Sequence, residues 1–158
     1  MPVRADGSLL EPRFVACVKD PNERVVSRTG TTVYGRATDP EVAAVLTGFM
    51  RGVVEDPRGT GTAARIPGVA VAGKTGTAET APGRRPHAWF IAFAPAEAPR
   101  YAIAVLVENG GGEDAPEGAT GGKIAAPIAR NVLTGLLADP PPEPSCGGAR
   151  PLGRSTGK

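Results

Sequence analysis

Apolar and polar residues alternate along residues 9–18, placing Phe14, Ala16 and Val18 on one face of a predicted strand. Asp20, Pro21, Asn22 and Glu23 make a turn signal, and residues 24–28, with Val25 and Val26, read as the return strand of a hairpin. The period then changes. Asp39 suits a helix cap, Pro40 the first helical position and Glu41 the positive end of a helix dipole. Val42, Val45, Leu46, Phe49, Met50 and Val53 follow at the spacing that gathers them on one helical face. Asp56 and Pro57 end that helix, because the residue before a proline is pushed out of the helical region.

Residues 59–68 form a turn-rich connection. Residues 69–77, 87–94 and 101–108 read as three strands, and their short links predict an antiparallel meander. Residues 109–122 make a glycine-rich acidic loop, and residues 123–138 read as a second helix. In that helix Ile124, Ile128, Val132 and Leu136 repeat every four residues, with Pro127 in the first turn. So apolar a face is expected to lie on the sheet. Residues 139–158 are rich in Pro, Gly, Ser and Arg and read as a disordered tail. The predicted fold class is therefore α+β. An antiparallel sheet with a C-terminal helix packed on it occupies residues 1–138, and the tail residues 139–158.

Composition narrows the chemistry. The 158 residues carry a formal net charge of +2, and Arg84-Arg85 is the longest basic run, so neither nucleic acid nor a membrane surface is an expected partner. Two cysteines, Cys17 and Cys146, and one histidine, His87, are too few for a Cys/His zinc site. No metal and no cofactor are implied. A Cys17–Cys146 disulfide is open from sequence, without positive support. No apolar run reaches the length of a membrane span, and the first residues do not read as a signal peptide. The chain is thus expected to carry no export signal or anchor of its own.

The chemically informative segment is Gly73-Lys74-Thr75-Gly76-Thr77-Ala78-Glu79. On a strand, Lys74 and Gly76 point to one side and Thr75 and Thr77 to the other. A cation beside bare backbone suits an edge strand on which a substrate chain lies and pairs. Threonine hydroxyls can donate to a carboxylate, and backbone N–H groups can serve an oxyanion. A plain turn or strand end is the ordinary meaning of these few letters. A second reading competes: residues 68–75 match the phosphate-loop pattern G-x-x-x-x-G-K-[ST]. That loop needs a strand before it, a tight turn within it and a helix after it. Val69-Ala70-Val71-Ala72 favours strand over turn, and residues 76–83 are poor helix formers, so nucleotide binding at 68–75 is the remote alternative.

Set in its surroundings, the segment resembles the Lys-Thr-Gly strand of penicillin-binding transpeptidases, one of three motifs of that family along with Ser-x-x-Lys and Ser-x-Asn. His87 to Pro95 resembles the family's following aromatic strand, Tyr101 to Gly111 its last strand and exit, and Ala119 to Ile128 the start of its last helix. Residues 5–26 are similar to the small hairpin before the third motif. The resemblance spans residues 5–138, is closest to the class B kind, and implies the C-terminal portion of a β-lactamase/transpeptidase-like fold. It implies that Lys74 binds a substrate or penicillin carboxylate and supports proton relay. It also implies that Thr75 and Thr77 contact that carboxylate, that Thr77 N–H supplies half an oxyanion hole, and that Gly76 admits the acyl-donor peptide. The implied partners are a peptidoglycan stem peptide or a β-lactam, and a missing N-terminal half. The resemblance implies an extracytoplasmic, membrane-anchored enzyme, whereas this chain expressed alone is expected to be cytoplasmic.

The departures weigh equally. Only Ser155 has a lysine three residues later, Lys158, and that pair follows Lys-Thr-Gly where the family's precedes it. No Ser-x-Asn or Tyr-x-Asn occurs. Without the serine there is no acyl-enzyme, so the chain is expected to be inactive alone. A non-catalytic peptide- or partner-binding module is the alternative. His87 has no evident Asp or Cys partner, Trp89 and Phe90 read as core, and Arg84-Arg85 as a solvated loop. Glu113, Asp114 and Glu117 lack calcium-loop spacing, and Glu79 with Glu108 has no support as a glycosidase pair.

Overall fold

The structure, a computed structural model, describes residues 6–79, 81–82, 84–111, 120–142 and 146. Two nested hairpins open the chain. Strand β1 (Ser8–Leu10) pairs antiparallel with β4 (Val33–Arg36), and inside them β2 (Cys17–Lys19) pairs antiparallel with β3 (Val25–Arg28). The predicted strand over residues 9–18 is therefore two short strands. Pro12 offers no backbone N–H to a ladder and restricts the residue before it, so pairing stops there. Phe14 lies between the two strands, 99% exposed, rather than on a packed face. The turn over residues 20–23 stands as expected. Asp20 Oδ1 accepts from the N–H groups of Asn22 and Arg24, each at 2.9 Å, and Glu23 takes a positive φ of 63°.

Helix α1 (Pro40–Glu55) has Asp39 at its N-cap and Pro40 in its first turn. The Asp39 side chain makes no capping bond. It lies 3.9 Å from the Arg36 guanidinium. At the other end Asp56 Oδ1 accepts from Arg58 N–H at 2.8 Å, which turns the chain out of the helix. The Arg58 hydrogen bonds hold the Asp56 carboxyl below its ordinary value. Only the end of the apolar stripe of α1 is covered: Met50 and Val53 are half-buried. Val42, Val45, Leu46 and Phe49 are exposed, Phe49 by 70%, while Val54 alone in the helix is fully buried.

A short helical turn (Thr62–Ala64) leads to the main sheet, β5 (Ala72–Ala78), β6 (His87–Ala94) and β7 (Tyr101–Val107), in that spatial order. Both pairings are antiparallel and unbroken, as the meander predicts. Alternation along β6 sets the two faces. Ala88, Phe90, Ala92 and Ala94 are buried, while Ile91 on the opposite face is 46% exposed.

The chain closes with a wide turn (Gly121–Ala125) that runs into helix α2 (Ala126–Ala138). The helix exists as expected, but a different stripe packs. Ala125, Ala126, Ala129 and Leu133 are buried, whereas Ile128 and Val132 are each 43% exposed. Alanine lets the helix axis approach the sheet more closely than isoleucine would, and the core around Phe90 is filled with small residues accordingly.

Cys17 and Cys146 form a disulfide with a Cα separation of 6.0 Å. Arg28 on β3 also donates to the Cys146 carbonyl. The chain beyond α2 is thereby tied to the inner hairpin. Glu113, Asp114, Glu117, Ser155 and Lys158, with most of the proposed tail, lie outside the described residues.

Candidate active site

Lys74, Thr75, Gly76 and Thr77 all lie on β5, the edge strand of the sheet. Register assigns their sides. Lys74 stands opposite Ile91 and Gly76 opposite Trp89, on the open face. Thr75 stands opposite Phe90 and Thr77 opposite Ala88, both fully buried, so the threonines share the helix-covered face. Lys74 is exposed and its Nζ donates to the Thr75 carbonyl.

Two glycines of β5 do different jobs. A methyl at Gly73 would come 2.5 Å from Phe90 Cζ and 3.2 Å from the Ile91 carbonyl oxygen, so core packing requires glycine there. A methyl at Gly76 would meet only Trp89 Cβ, at 3.4 Å, an ordinary contact. The surrounding structure does not need Gly76 bare, and its backbone is left approachable from the open side.

Residues from three other segments crowd the strand. Thr60 Oγ1 lies 2.8 Å from Thr75 Oγ1, a hydroxyl pair in which either oxygen is able to donate. Gly121 sits so close that a Cβ would fall 2.1 Å from the Trp89 carbonyl oxygen and 2.8 Å from that of Gly76. A Cβ on Gly122 would fall 1.8 Å from the Thr60 carbonyl oxygen. At the end of the strand, Gly111 N–H donates to the Pro86 carbonyl at 2.8 Å, and a Cβ on Gly111 would lie 3.4 Å from Thr77 Cγ2.

His87 does not stand ready as a base. Its Nδ1 accepts from Asn109 N–H at 3.0 Å, which fixes the turn after β7 where Asn109 has a φ of 54°. Phe90 is core, as read; Trp89 is half-buried on the open face. Glu79 and Glu108 follow β5 and β7, which β6 separates. Among the described residues no group of three or more His, Cys, Asp or Glu is arranged to hold a metal ion. No helix among them is long and apolar enough to cross a membrane.

The phosphate-loop alternative is overturned by geometry. Gly73, Lys74 and Thr75 lie within one extended strand paired along its length with β6, not in an anion-cradling turn at a helix N-terminus. The next regular element is β6.

An antiparallel sheet backed by a C-terminal helix thus carries Lys74, Thr75, Gly76 and Thr77 along one edge strand. The chain belongs to the penicillin binding protein transpeptidase domain family, which matches residues 2–134. It is 45% identical over 138 residues to the peptidoglycan D,D-transpeptidase PbpA of Mycobacterium tuberculosis, covering 85% of this chain. That match spans only 27% of the mycobacterial protein. The ceftriaxone acyl-enzyme complex of penicillin-binding protein A from M. tuberculosis superimposes with a TM-score of 0.73 at 44% identity, over 84% of this chain and 29% of that one. The D,D-transpeptidase domain of a peptidoglycan glycosyltransferase from Eggerthella lenta gives 0.70 at 35% identity, over 84% and 28%.

The strand is legible in the sequence as a motif, but its supports are not. Thr60 passed as part of a turn-rich connection. Its signal was the pair of glycines around it, Gly59 and Gly61, both in backbone contact with Val53. Gly121-Gly122 ahead of a helix is likewise the mark of a close backbone approach.

Proposed function

We propose that this chain is the C-terminal portion of a peptidoglycan D,D-transpeptidase domain and supplies the substrate-binding edge of its site. The observation that carries this reading is the placement of Lys74, Gly76 and two threonine hydroxyls on one exposed edge strand of a chain 45% identical to such an enzyme. In this reading a stem peptide or a β-lactam lies along β5. Lys74 supplies the cation for its carboxylate and supports proton relay at the nucleophile. The carboxylate lies at the unpaired edge of β5, where the long Lys74 side chain reaches it from the open face and the Thr75 and Thr77 hydroxyls donate to it from the other, and Gly76 leaves the backbone open to pairing. Thr77 N–H supplies one donor to the oxyanion that forms when the acyl carbonyl is attacked. The attacking serine belongs to the segment that precedes this one in the family, so the chain by itself forms no acyl-enzyme.

The uncovered apolar stripe of α1 fits the same account. Val42, Val45, Leu46 and Phe49 form an exposed apolar stripe, the kind of surface that marks an interaction site. The serine-bearing N-terminal portion of the domain is its proposed occupant. The disulfide favours an oxidising, extracytoplasmic compartment.

The test is covalent labelling with fluorescent penicillin. The chain alone is expected to take no label. Joined behind the upstream segment of a family member, in place of that member's own matched region, it is expected to restore labelling that Lys74→Ala reduces at least tenfold. A folded chimera that takes no label, or one indifferent to Lys74→Ala, refutes the reading. A penicillin adduct on any serine of the isolated chain refutes the claim that it is inactive alone.

A further inference from the structure

We infer that Thr60 is a positioning residue for Thr75: its hydroxyl donates to Thr75 Oγ1 and thereby turns the Thr75 proton outward, toward a carboxylate lying along β5. The inference rests on the transpeptidase reading of β5 and adds a residue that lies on no part of the Lys-Thr-Gly strand.

A threonine hydroxyl has one proton to give and two lone pairs to receive with. In the 2.8 Å pair of Thr60 and Thr75, one hydroxyl donates and the other accepts. If Thr75 donated to Thr60, its proton would be spent inside the protein and only lone pairs would face an incoming anion, which repels them. If Thr60 donates, the Thr75 proton is free to reach the anion. A bound carboxylate therefore selects the second arrangement. The chain Thr60 O–H to Thr75 Oγ1 to carboxylate is then polarised in one direction, each bond strengthening the next.

The position of Thr60 supports such a role. Its two neighbours are held at the backbone. Gly59 N–H donates to the Asp56 carbonyl at 2.8 Å, and Gly61 N–H to the Val53 carbonyl at 2.9 Å. Gly59 has no room for a side chain, since a Cβ there would lie 2.3 Å from the Val53 carbonyl oxygen, and Gly61 is tight, with a Cβ 3.0 Å from Phe90 Cε2. The Thr60 carbonyl is pressed against Gly122, whose own Cβ position lies 3.4 Å from Thr75 Cγ2. Helix α1, the Phe90 ring and the turn before α2 thus fix both partners of the hydroxyl pair in one bracket. Thr60 is otherwise exposed, so its burial does not explain a threonine there.

The experiment uses the 158-residue chain with isotope-labelled threonine. Side-chain couplings report the χ1 rotamer of Thr75, and amide shifts of residues 74–77 report binding of benzylpenicillin, with its methyl ester as the neutral control. Wild type and Thr60→Ser are expected to hold one Thr75 rotamer. Thr60→Val, which keeps the shape and loses the hydroxyl, is expected to average it at an unchanged melting temperature. Penicillin affinity should fall about three- to tenfold in Thr60→Val and recover in Thr60→Ser, while the ester distinguishes none of them. A Thr60→Val chain that keeps one Thr75 rotamer, or that binds penicillin as wild type does, overturns the inference. If Thr75 responds to Thr60→Val but no variant, wild type included, binds penicillin at residues 74–77, the carboxylate-binding role given to β5 in this chain fails and the side-chain bracket stands. Should Thr60→Val unfold, Thr60→Ala gives the same comparison.

Discussion

Gly73 and Phe90 are predicted to be energetically coupled, and the coupling has a definite sign. In Gly73→Ala the new methyl falls 2.5 Å from Phe90 Cζ and 3.2 Å from a backbone carbonyl oxygen. The Phe90 ring has no free space to retreat into. It is fully buried, and Gly61 approaches it from another side, where even a Cβ would lie 3.0 Å from Cε2. Overpacking of this kind costs about 1–3 kcal/mol. Phe90→Leu removes the ring atoms that the methyl strikes and leaves a small cavity, at about 1–2 kcal/mol. In the double variant the methyl occupies that cavity, so each change repairs part of the damage done by the other. Its loss of stability should be smaller than the sum of the single losses by about 1–2 kcal/mol. Urea unfolding of the four proteins, followed by far-ultraviolet circular dichroism, measures this. A control cycle pairs Gly73→Ala with Val26→Ala on the distant hairpin, where additivity within about 0.5 kcal/mol is expected. Additivity of the Gly73 and Phe90 changes within that margin would refute the claim that packing fixes glycine at position 73.

Three further outcomes follow from other parts of the molecule. Cys17→Ser with Cys146→Ser removes a cross-link spanning a sequence separation of 129, worth about 5 kcal/mol in the chain-entropy description, so a midpoint in urea unchanged from the oxidised protein would contradict it. Phe49→Ser on the exposed stripe of α1 should leave stability within about 0.5 kcal/mol while lowering binding of a hydrophobic dye; a loss above about 2 kcal/mol would mean that Phe49 is packed. The hydrogen bond and charge of Lys19 hold the Glu23 carboxyl below its ordinary value of 4.5. Its small stabilisation is therefore present above that value and lost as pH falls through the lower, folded one. Lys19→Met should flatten that part of the acid dependence of the melting temperature, and superimposable curves would reject the assignment.

Periodicity made the central elements legible. The alternation in β6 and β7 and the cap-like start of α1 are local properties, and they appear where the residues place them. What periodicity does not carry is the identity of the neighbour. In α2 the isoleucine stripe and the alanine stripe both repeat every four residues. Hydrophobicity favours the first, but the backbone contacts of Gly121 and Gly122 bring the start of the helix close to the sheet, where Ala125, Ala126 and Ala129 are buried, with Leu133 further along. In α1 the apolar stripe was correctly placed on one face, yet which way that face looks depends on tertiary packing. The hairpin region failed for a local reason: Pro12 divides one apparent strand, and β4, whose Val33 and Tyr34 are ordinary strand formers, went unread. At the site the four residues of the edge strand were legible as a motif. Thr60 was not, because its value lies in a contact across 15 positions of chain.

The Cys17–Cys146 bond has a consequence for how damage to this protein would look. It closes the sheet, both helices and every loop between them into one covalent ring. A protease that cuts anywhere inside the ring opens it without releasing a piece. In oxidising surroundings a nicked molecule keeps its mass, less nothing but gaining one water, and only a reductant separates the halves. Size alone, read without reduction, therefore says that the pieces remain joined and says nothing about whether the peptide backbone is whole.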